Sequence, residues 1–209
     1  EVINPADPND IVGYVTQATA SDAQTAIKNA KPWDVPAANR AAVLRRAADL
    51  YEDNFGELFA VLTREAGKTP MDAIAELREA VDFLRYYADE AIRLGDTQPC
   101  GIFTCISPWN FPLAIFTGQM AAALAAGNAV LSKPAEPTSL TAHIATKLLL
   151  QAGVPQSALQ LLPGQGRIIG TALTSNPTVG GACFTGSTAT AQTISRALAD
   201  HAPTAPLIA

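Results

Sequence analysis

The sequence has 209 residues, of which 48% are hydrophobic and 16% charged, and its formal net charge at pH 7 is −5. This apolar content excludes a disordered chain, and the acidic balance argues against a nucleic-acid-binding surface. The charge is unevenly distributed, because 27 of the 33 charged residues lie in 1–96 and none lies in 97–132. We therefore expect two segments, 1–96 with a solvated surface and 97–209 with a mostly buried one.

The beginning of the chain predicts a β-hairpin followed by a short helix. Residues 2–3 and 11–15 are β-prone, and the turn-forming residues 5–10 lie between them. Ser21 or Asp22 is expected to cap the helix that follows, since both residue types accept hydrogen bonds from the first helical N–H groups.

Two long amphipathic helices are predicted next. Apolar residues recur with helical spacing over 37–64 and again over 71–93, with charged residues on the other faces. The stretch 67–70, Gly-Lys-Thr-Pro, contains the residues that end one helix and begin another.

After Asp96 the pattern changes to short β-rich runs that each precede a helical stretch. The uncharged run 97–132 is long enough to consider as a membrane span, but prolines, asparagines and a glutamine interrupt it, so a buried strand–helix–strand unit fits better. Strands are predicted over 101–106, 129–132, 159–162 and 182–184, and helices over 112–126, 139–152, 168–174 and 188–199. Four βα units in a row predict an α/β fold with a Rossmann-like parallel sheet that has helices on both faces.

In an open parallel sheet, ligands bind at the carboxyl ends of the strands, so the loops after the strands carry the candidate site residues. The first loop, 107–112, reads S-P-W-N-F-P. Its prolines restrict the backbone and its aromatic residues offer apolar walls. The Asn110 side-chain amide could stabilise a developing oxyanion, or it could simply cap the next helix.

The second loop, K-P-A-E, contains two of the six charged residues in 97–209, Lys133 and Glu136. A donor and an acceptor at a strand end suit a vicinal diol such as a ribose. An acidic residue also disfavours a 2′-phosphate, which favours NAD over NADP. The alternative is a surface salt bridge between the two side chains.

The third and fourth loops contain glycine. The third, P-G-Q-G-R-I-I-G over 163–170, has the spacing GxGxxxG and no acidic residue about 20 positions later, so a tight turn without ligand contact is equally favoured. In the fourth, Gly186 permits close backbone approach, and Ser187 and Thr188 begin a helix. The N–H groups at that helix end could hold a phosphate, or the two hydroxyl residues could be an ordinary cap.

The cysteines and histidines do not suggest a catalytic or metal site. Cys105 and Cys183 lie in predicted strands, which favours buried, unreactive thiols, and Cys100 has no histidine nearby in the sequence. His143 has no metal ligand four positions later on its predicted helix, and His201 is expected in the C-terminal tail. No signal peptide is recognisable at the first residues, so we expect a reducing, cytoplasmic location.

The motifs S-P-W-N-F-P, K-P-A-E, L-P-G-Q-G and F-T-G-S-T, taken in this order, resemble the aldehyde dehydrogenase superfamily over essentially the whole chain. The stretches R-E-A-G-K-T (64–69), A-V-D-F-L-R-Y-Y-A (80–88) and 105–119 further resemble the L-glutamate γ-semialdehyde (1-pyrroline-5-carboxylate) dehydrogenase module of bacterial bifunctional proline utilization proteins.

The resemblance implies an enzyme of proline catabolism that oxidises L-glutamate γ-semialdehyde to L-glutamate with NAD. It implies that Asn110 is an oxyanion-hole donor. For the nicotinamide ribose and phosphate region it implies Ser107, Pro108 and Trp109. The adenosine ribose is matched to Lys133 and Glu136, the adenine to Gly166 and Arg167, and the pyrophosphate to Gly186, Ser187 and Thr188.

The chain also departs from the family. Ala189 and Ala191 stand where the family has glutamate and glycine, and the family's general-base glutamate and nucleophilic cysteine come after a stretch like 206–209. We therefore expect a fragment that is inactive alone and whose full-length protein is a homo-oligomer, with no nucleic-acid or metal binding by this segment. FAD is expected only if a proline dehydrogenase domain precedes residue 1. The alternatives are a non-catalytic nucleotide-binding or assembly module, and an aldehyde dehydrogenase with another substrate.

Overall fold

The computed structural model describes residues 1–95 and 97–209. It is an α/β structure with a two-stranded antiparallel hairpin, long helices and a five-stranded parallel sheet, which confirms the predicted fold class. The expected segment boundary at Asp96 lies outside the described residues, and the division into two segments stays a prediction.

The hairpin consists of β1 (Val2–Asn4) and β2 (Asp7–Gly13), with Val2 paired to Gly13. Its turn is narrower than predicted, because Pro8 and Asn9 belong to the second strand. Proline is tolerated there since a two-stranded ribbon leaves one side of each strand unpaired.

Four helices follow: α1 (Ala20–Asn29), α2 (Ala37–Asp53), α3 (Phe55–Ala66) and α4 (Pro70–Leu94). The predicted cap of α1 was wrong by two or three positions: Thr19 is the N-cap, and Asp22 completes its capping box from the third helical position.

The single helix predicted over 37–64 is in fact two helices, α2 and α3. Asn54 separates them with φ −101° and ψ 24°, and its side-chain N–H donates to the Leu50 carbonyl at 2.8 Å. Asparagine competes with the helical backbone for such hydrogen bonds, so it ends α2 although the apolar periodicity continues.

The sheet contains β3 (Ile102–Ile106), β4 (Ala129–Lys133), β5 (Leu159–Leu161), β6 (Val179–Phe184) and β7 (Leu207–Ile208), in the order β5-β4-β3-β6-β7. All neighbours are parallel, and Cys105 on β3 is in register with Ser132 on β4 and Cys183 on β6. The sequence analysis did not predict β7, which has only two residues.

Helices cover both faces of the sheet. They are α5 (Ala114–Ala125), α6 (Ser139–Ala152), α7 (Thr171–Thr174) and α8 (Thr188–His201). A 3-10 turn (Glu136–Thr138) precedes α6, and a π-helical turn (Gly166–Gly170) precedes α7. Both turns directly follow a strand end, which is where the candidate residues lie.

The largest core joins the helices of the first segment to the sheet. Leu44 on α2, Leu84 on α4 and Phe116 on α5 are buried in one cluster with Phe103 of β3. Two smaller clusters cover the opposite face, one beside α1 and α7 and one beneath α8. The uncharged run 97–132 therefore forms interior elements, and no described helix is both long and apolar enough to cross a membrane.

Candidate functional site

A cavity of about 1150 Å³ lies at the carboxyl edge of the sheet, between the loops that follow β3, β4, β5 and β6. Parallel strands end at the same edge, so Ile106 and Ile194, which are 88 positions apart in sequence, both line it. Ten of the eleven predicted site residues line it: Ser107, Pro108, Trp109, Asn110, Lys133, Glu136, Gly166, Arg167, Gly186 and Ser187. Thr188, in the next position of α8, is not among the lining residues.

The first loop presents Asn110 to solvent at the cavity. Ser107 is buried, and its backbone N–H donates to the Lys133 carbonyl at 3.2 Å, which ties the first loop to the second. The alternative that Asn110 caps the next helix was wrong, because α5 begins at Ala114 and its cap position is Leu113. Asn110 is exposed and lines the cavity, so a ligand there can reach its side-chain amide.

Among the ion pairs of residues 1–95 and 97–209 there is none between Lys133 and Glu136, so the predicted alternative of a salt bridge in the second loop was also wrong. Lys133 is 4% exposed and its Nζ donates to the Pro134 carbonyl at 2.9 Å. Burial lowers the pKa of the Lys133 ammonium, and the charge of Glu136 partly opposes that shift.

Glu136 connects the second loop to the third. Its exposed carboxylate accepts a hydrogen bond through Oε1 from the Gly166 N–H at 3.1 Å, which leaves Oε2 for a ligand. Gly166 begins the π-helical turn, and Arg167 beside it donates to Gln165 Oε1 at 2.9 Å. This turn lines the cavity, which allows ligand contact but does not decide between a ligand site and a tight turn without ligand contact.

The fourth loop begins α8. Ser187 is the N-cap of that helix, since its Oγ accepts from the Thr190 N–H at 3.2 Å, which confirms the predicted cap. A Cβ at Gly186 would lie 2.5 Å from the Phe184 ring, so any other residue there would require that ring to move. Ala189, where the family has glutamate, lines the cavity.

Two buried glutamates that the sequence analysis did not predict hold the loops from outside. The N–H groups of Leu113 and Ala114, at the start of α5, donate to Glu76 Oε2 at 3.2 and 2.9 Å. Glu65 does the same for α6: Leu140 N–H donates to Oε1 and Thr141 N–H to Oε2, both at 2.7 Å. The only signal for them was the R-E-A-G-K-T motif, which contains Glu65 but does not reveal its partners.

Gln119 was a further residue that the prediction missed. Its side-chain N–H donates to the Ile106 carbonyl at 3.3 Å and to Thr185 Oγ1 at 3.2 Å, so it joins the ends of β3 and β6. It is 7% exposed and therefore supports the first and fourth loops from the interior.

No cysteine lines the cavity. Cys105 and Cys183 have thiol pKa values raised by burial, which disfavours the reactive thiolate, and Cys100 is exposed in the segment that precedes β3. His143 lines a different groove of about 510 Å³, and His201 ends α8. In the part of the chain that the structure describes, no group of three or more potential ligands could hold a metal ion.

Comparison with known proteins identifies the family. The model of the aldehyde dehydrogenase family matches residues 1–207. The chain belongs to the aldehyde dehydrogenase family. Among relatives of this family, the bifunctional protein PutA of Klebsiella aerogenes is 54% identical over an alignment of 208 positions that covers 96% of this chain. The α-ketoglutaric semialdehyde dehydrogenase of Bacillus subtilis is 37% identical over 94% of the chain.

Among solved aldehyde dehydrogenase structures, that of 1-pyrroline-5-carboxylate dehydrogenase from Thermus with bound NAD has a TM-score of 0.93, at 31% identity over 99% of this chain. The chain spans 16% of the length of the Klebsiella protein, 44% of the Bacillus protein and 45% of the Thermus chain. It therefore corresponds to a minor part of each of these aldehyde dehydrogenases.

Proposed function

We propose that residues 1–209 form the cofactor-binding part of an NAD-dependent aldehyde dehydrogenase that oxidises L-glutamate γ-semialdehyde to L-glutamate in proline catabolism. The observation that carries the proposal is the cavity at the carboxyl edge of the sheet, where four loops bring ten candidate residues together. Family membership and the similarity to the PutA protein support the reaction class and the substrate.

The residues at the cavity fit a dinucleotide. The N-terminal turn of the 14-residue helix α8 carries N–H groups and a partial positive charge suited to a pyrophosphate. Gly186 has no side chain, so a ligand can approach its backbone closely. We assign the pyrophosphate to Gly186, Ser187 and Thr188.

The ribose and adenine contacts are proposed for the second and third loops. Glu136 Oε2 is free to accept from a ribose diol, and the Lys133 ammonium beside it can donate. The carboxylate would repel a 2′-phosphate, which is the reason for proposing NAD rather than NADP. Gly166 and Arg167 form the exposed wall proposed for the adenine.

The first loop is proposed to face the reacting aldehyde. Ser107, Pro108 and Trp109 line the region assigned to the nicotinamide ribose and phosphate. The bound cofactor supplies the hydride acceptor of the reaction. The Asn110 side-chain N–H donates to the aldehyde oxygen as negative charge develops there, a contribution worth about 10²–10³ in rate for one such donor.

We propose that the thiol nucleophile and the general base of this reaction are not among residues 1–209. None of the three cysteines lines the cavity, and burial raises the pKa of Cys105 and Cys183. We therefore propose that these two groups belong to a longer protein and that residues 1–209 alone bind the cofactor without turnover. Homo-oligomer formation, and FAD in a preceding proline dehydrogenase domain, remain proposals about that longer protein.

The first test measures nucleotide binding by residues 1–209. Trp109 lines the cavity, so NAD binding should change its fluorescence in a saturable titration. We expect Glu136→Gln to weaken NAD binding by about tenfold, since one charge-assisted hydrogen bond is lost. The preference for NAD over NADP should also narrow, because the glutamine no longer repels a 2′-phosphate. Glu79→Gln, on the exposed surface of α4, is the matched control and should bind like the wild type.

The second test measures NADH formation by the longer protein with a panel of aldehydes. We expect the highest kcat/KM for L-glutamate γ-semialdehyde, with α-ketoglutaric semialdehyde, named by the Bacillus relative, as the main competitor. A higher kcat/KM for the competitor would replace the proposed substrate. NAD binding without oxidation of any aldehyde would favour the non-catalytic module, and absence of NAD binding would refute the proposed cofactor site.

A further inference from the structure

We propose that Lys68 and Glu76, which lie outside the cavity, are positioning residues that hold the Asn110 loop (residues 107–112) in the conformation that directs Asn110 to the site. Neither residue lines the cavity. Their contacts with the loop come from α4 and from the turn that precedes it. The expected effect on catalysis rests on the proposed function. The expected effect on the motion of the Asn110 loop can be measured without enzyme activity.

Lys68 contacts the middle of the Asn110 loop in two ways. Its Nζ donates to the backbone carbonyl of Asn110 at 2.6 Å. The same ammonium lies 4.7 Å from the centroid of the Phe111 ring, which is within the range of a cation–π interaction. Two consecutive residues of the loop are therefore held by one charged group.

Glu76 holds both Lys68 and the end of the loop. Its Oε1 lies 2.9 Å from Lys68 Nζ, an ion pair whose angle is unfavourable for a hydrogen bond. Its Oε2 accepts from the N–H groups of Leu113 and Ala114, where α5 begins. The Glu76 side chain is 1% exposed and that of Lys68 is 17% exposed, so little solvent screens the pair.

The backbone around Lys68 is itself fixed, so the side chain starts from a defined position. Gly67 ends α3 with φ +65°, a conformation that favours glycine, and the Lys68 N–H donates to the Leu62 carbonyl at 3.2 Å. Thr69 then caps α4 through the Asp72 N–H. Lys68 is thus the one residue between the C-cap of α3, Gly67, and the N-cap of α4, Thr69.

This arrangement explains why an exposed loop can present Asn110 in one orientation. Ser107 is fixed to the sheet through the Lys133 carbonyl, and residues 113–114 are fixed by Glu76. Between these points Asn110 and Phe111 are exposed, and Lys68 holds them from the side. Loss of the ammonium should let the loop move, which displaces an oxyanion donor whose effect depends on its exact distance.

The structural test uses Trp109, which lies in the same loop. In a Trp33→Phe background Trp109 is the only tryptophan of residues 1–209, and Trp33 is buried away from the loop. Time-resolved fluorescence anisotropy then reports the motion of the loop. We expect Lys68→Met to increase the fast component, Lys68→Arg to restore most of the wild-type signal, and Arg45→Met, which breaks an exposed ion pair elsewhere, to have no effect.

Removing Lys68 leaves the Glu76 carboxylate buried without its cation, which could unfold the protein. The Lys68→Met/Glu76→Gln double variant avoids this, because the glutamine carbonyl can still accept from Leu113 and Ala114 while the charges are removed together. Far-UV circular dichroism checks its fold. If the folded double variant has the same Trp109 anisotropy as the Arg45→Met control, the proposal is overturned.

The kinetic test uses the longer enzyme with NAD and its best aldehyde. We expect Lys68→Met to lower kcat by about 10- to 100-fold with the KM for NAD nearly unchanged, and Lys68→Arg to recover part of the loss. An unchanged kcat in folded Lys68→Met enzyme would overturn the positioning role. If the wild type oxidises no aldehyde, the proposed function fails, and the anisotropy measurement still decides whether Lys68 holds the loop.

Discussion

Replacement of Glu65 by alanine should destabilise the protein more than any surface substitution. Glu65 lies on α3 and is 5% exposed. Its carboxylate accepts three hydrogen bonds, all at 2.7 Å, from the Leu140 N–H, the Thr141 N–H and Thr141 Oγ1. The two N–H groups belong to the first turn of α6, where N–H groups have no partners within their own helix.

The magnitude follows from what the substitution leaves unpaired. Thr141 is fully buried, so its N–H and hydroxyl lose their partner without gaining water, at about 1–3 kcal/mol for each group. Leu140 is partly exposed and contributes less. Relief of the burial penalty on the carboxylate offsets part of the loss. We expect the free energy of unfolding to fall by about 3–5 kcal/mol, a large fraction of the roughly 5–15 kcal/mol typical of a domain.

The assay is urea denaturation of residues 1–209, followed by circular dichroism and tryptophan fluorescence. Glu79→Ala, which removes an exposed carboxylate from α4, is the control and should change the free energy of unfolding by less than about 0.5 kcal/mol. A loss below about 1 kcal/mol for Glu65→Ala would refute the reasoning, because it would show that the three hydrogen bonds contribute almost nothing net of desolvation.

Three further predictions concern pH, packing and thiol reactivity. Burial raises the pKa of Glu65 against its hydrogen bonds, so the native state binds this proton more tightly than the unfolded state. The contribution of Glu65 to stability should therefore decrease as pH rises through that raised pKa. Denaturation from acid to neutral pH should show this decrease in the unfolding free energy of the wild type, and Glu65→Gln should abolish it. Gly180→Ala should lower the thermal midpoint strongly, because its Cβ would lie 2.0 Å from the Cys100 carbonyl oxygen. Gly56 lies on the exposed face of α3, and a Cβ added there would meet no atom within 4 Å, so Gly56→Ala should instead stabilise the protein by about 0.5–1 kcal/mol. A lower thermal midpoint for Gly56→Ala than for Gly180→Ala would contradict this packing. Cys100 should react fastest with a thiol reagent in the native protein, the half-buried Cys183 more slowly, and the buried Cys105 only after denaturation; rapid modification of Cys105 in the native protein would refute its burial.

The candidate site was predictable where it depends on strand ends. Lys133 and Glu136 stand out because charge is scarce after residue 96, and parallel strands bring the loops that follow them to one edge. The short motifs at 107–112 and 185–188 could be recognised because each of them directly follows a predicted strand. Their roles as cofactor ligands remain proposals, because position at the cavity does not by itself identify the ligand.

The predictions that were wrong or incomplete concern features that depend on side-chain hydrogen bonds competing with the helix, or on partners distant in the chain. The periodicity of 37–64 is correct for both α2 and α3, but a side-chain hydrogen bond of Asn54 breaks the helix between them. β7 has two residues, too few for a periodic pattern, and exists because it pairs with β6. Glu76 is an ordinary charged helix residue in the sequence, and only its contact with the start of α5, 37 positions away, explains its burial.

The sequence by itself determined the α/β class, the order of the helices and most strands, and the family, since each depends on local patterns of apolar, turn and motif residues. Only the tertiary structure decided which charged residues support the site from outside. Lys68 lies beside Asn110, and Glu65 beside Thr141, because the helices of the first segment pack on the sheet. Such pairings depend on the packing of elements that are distant in the chain, which hydrophobic periodicity does not encode.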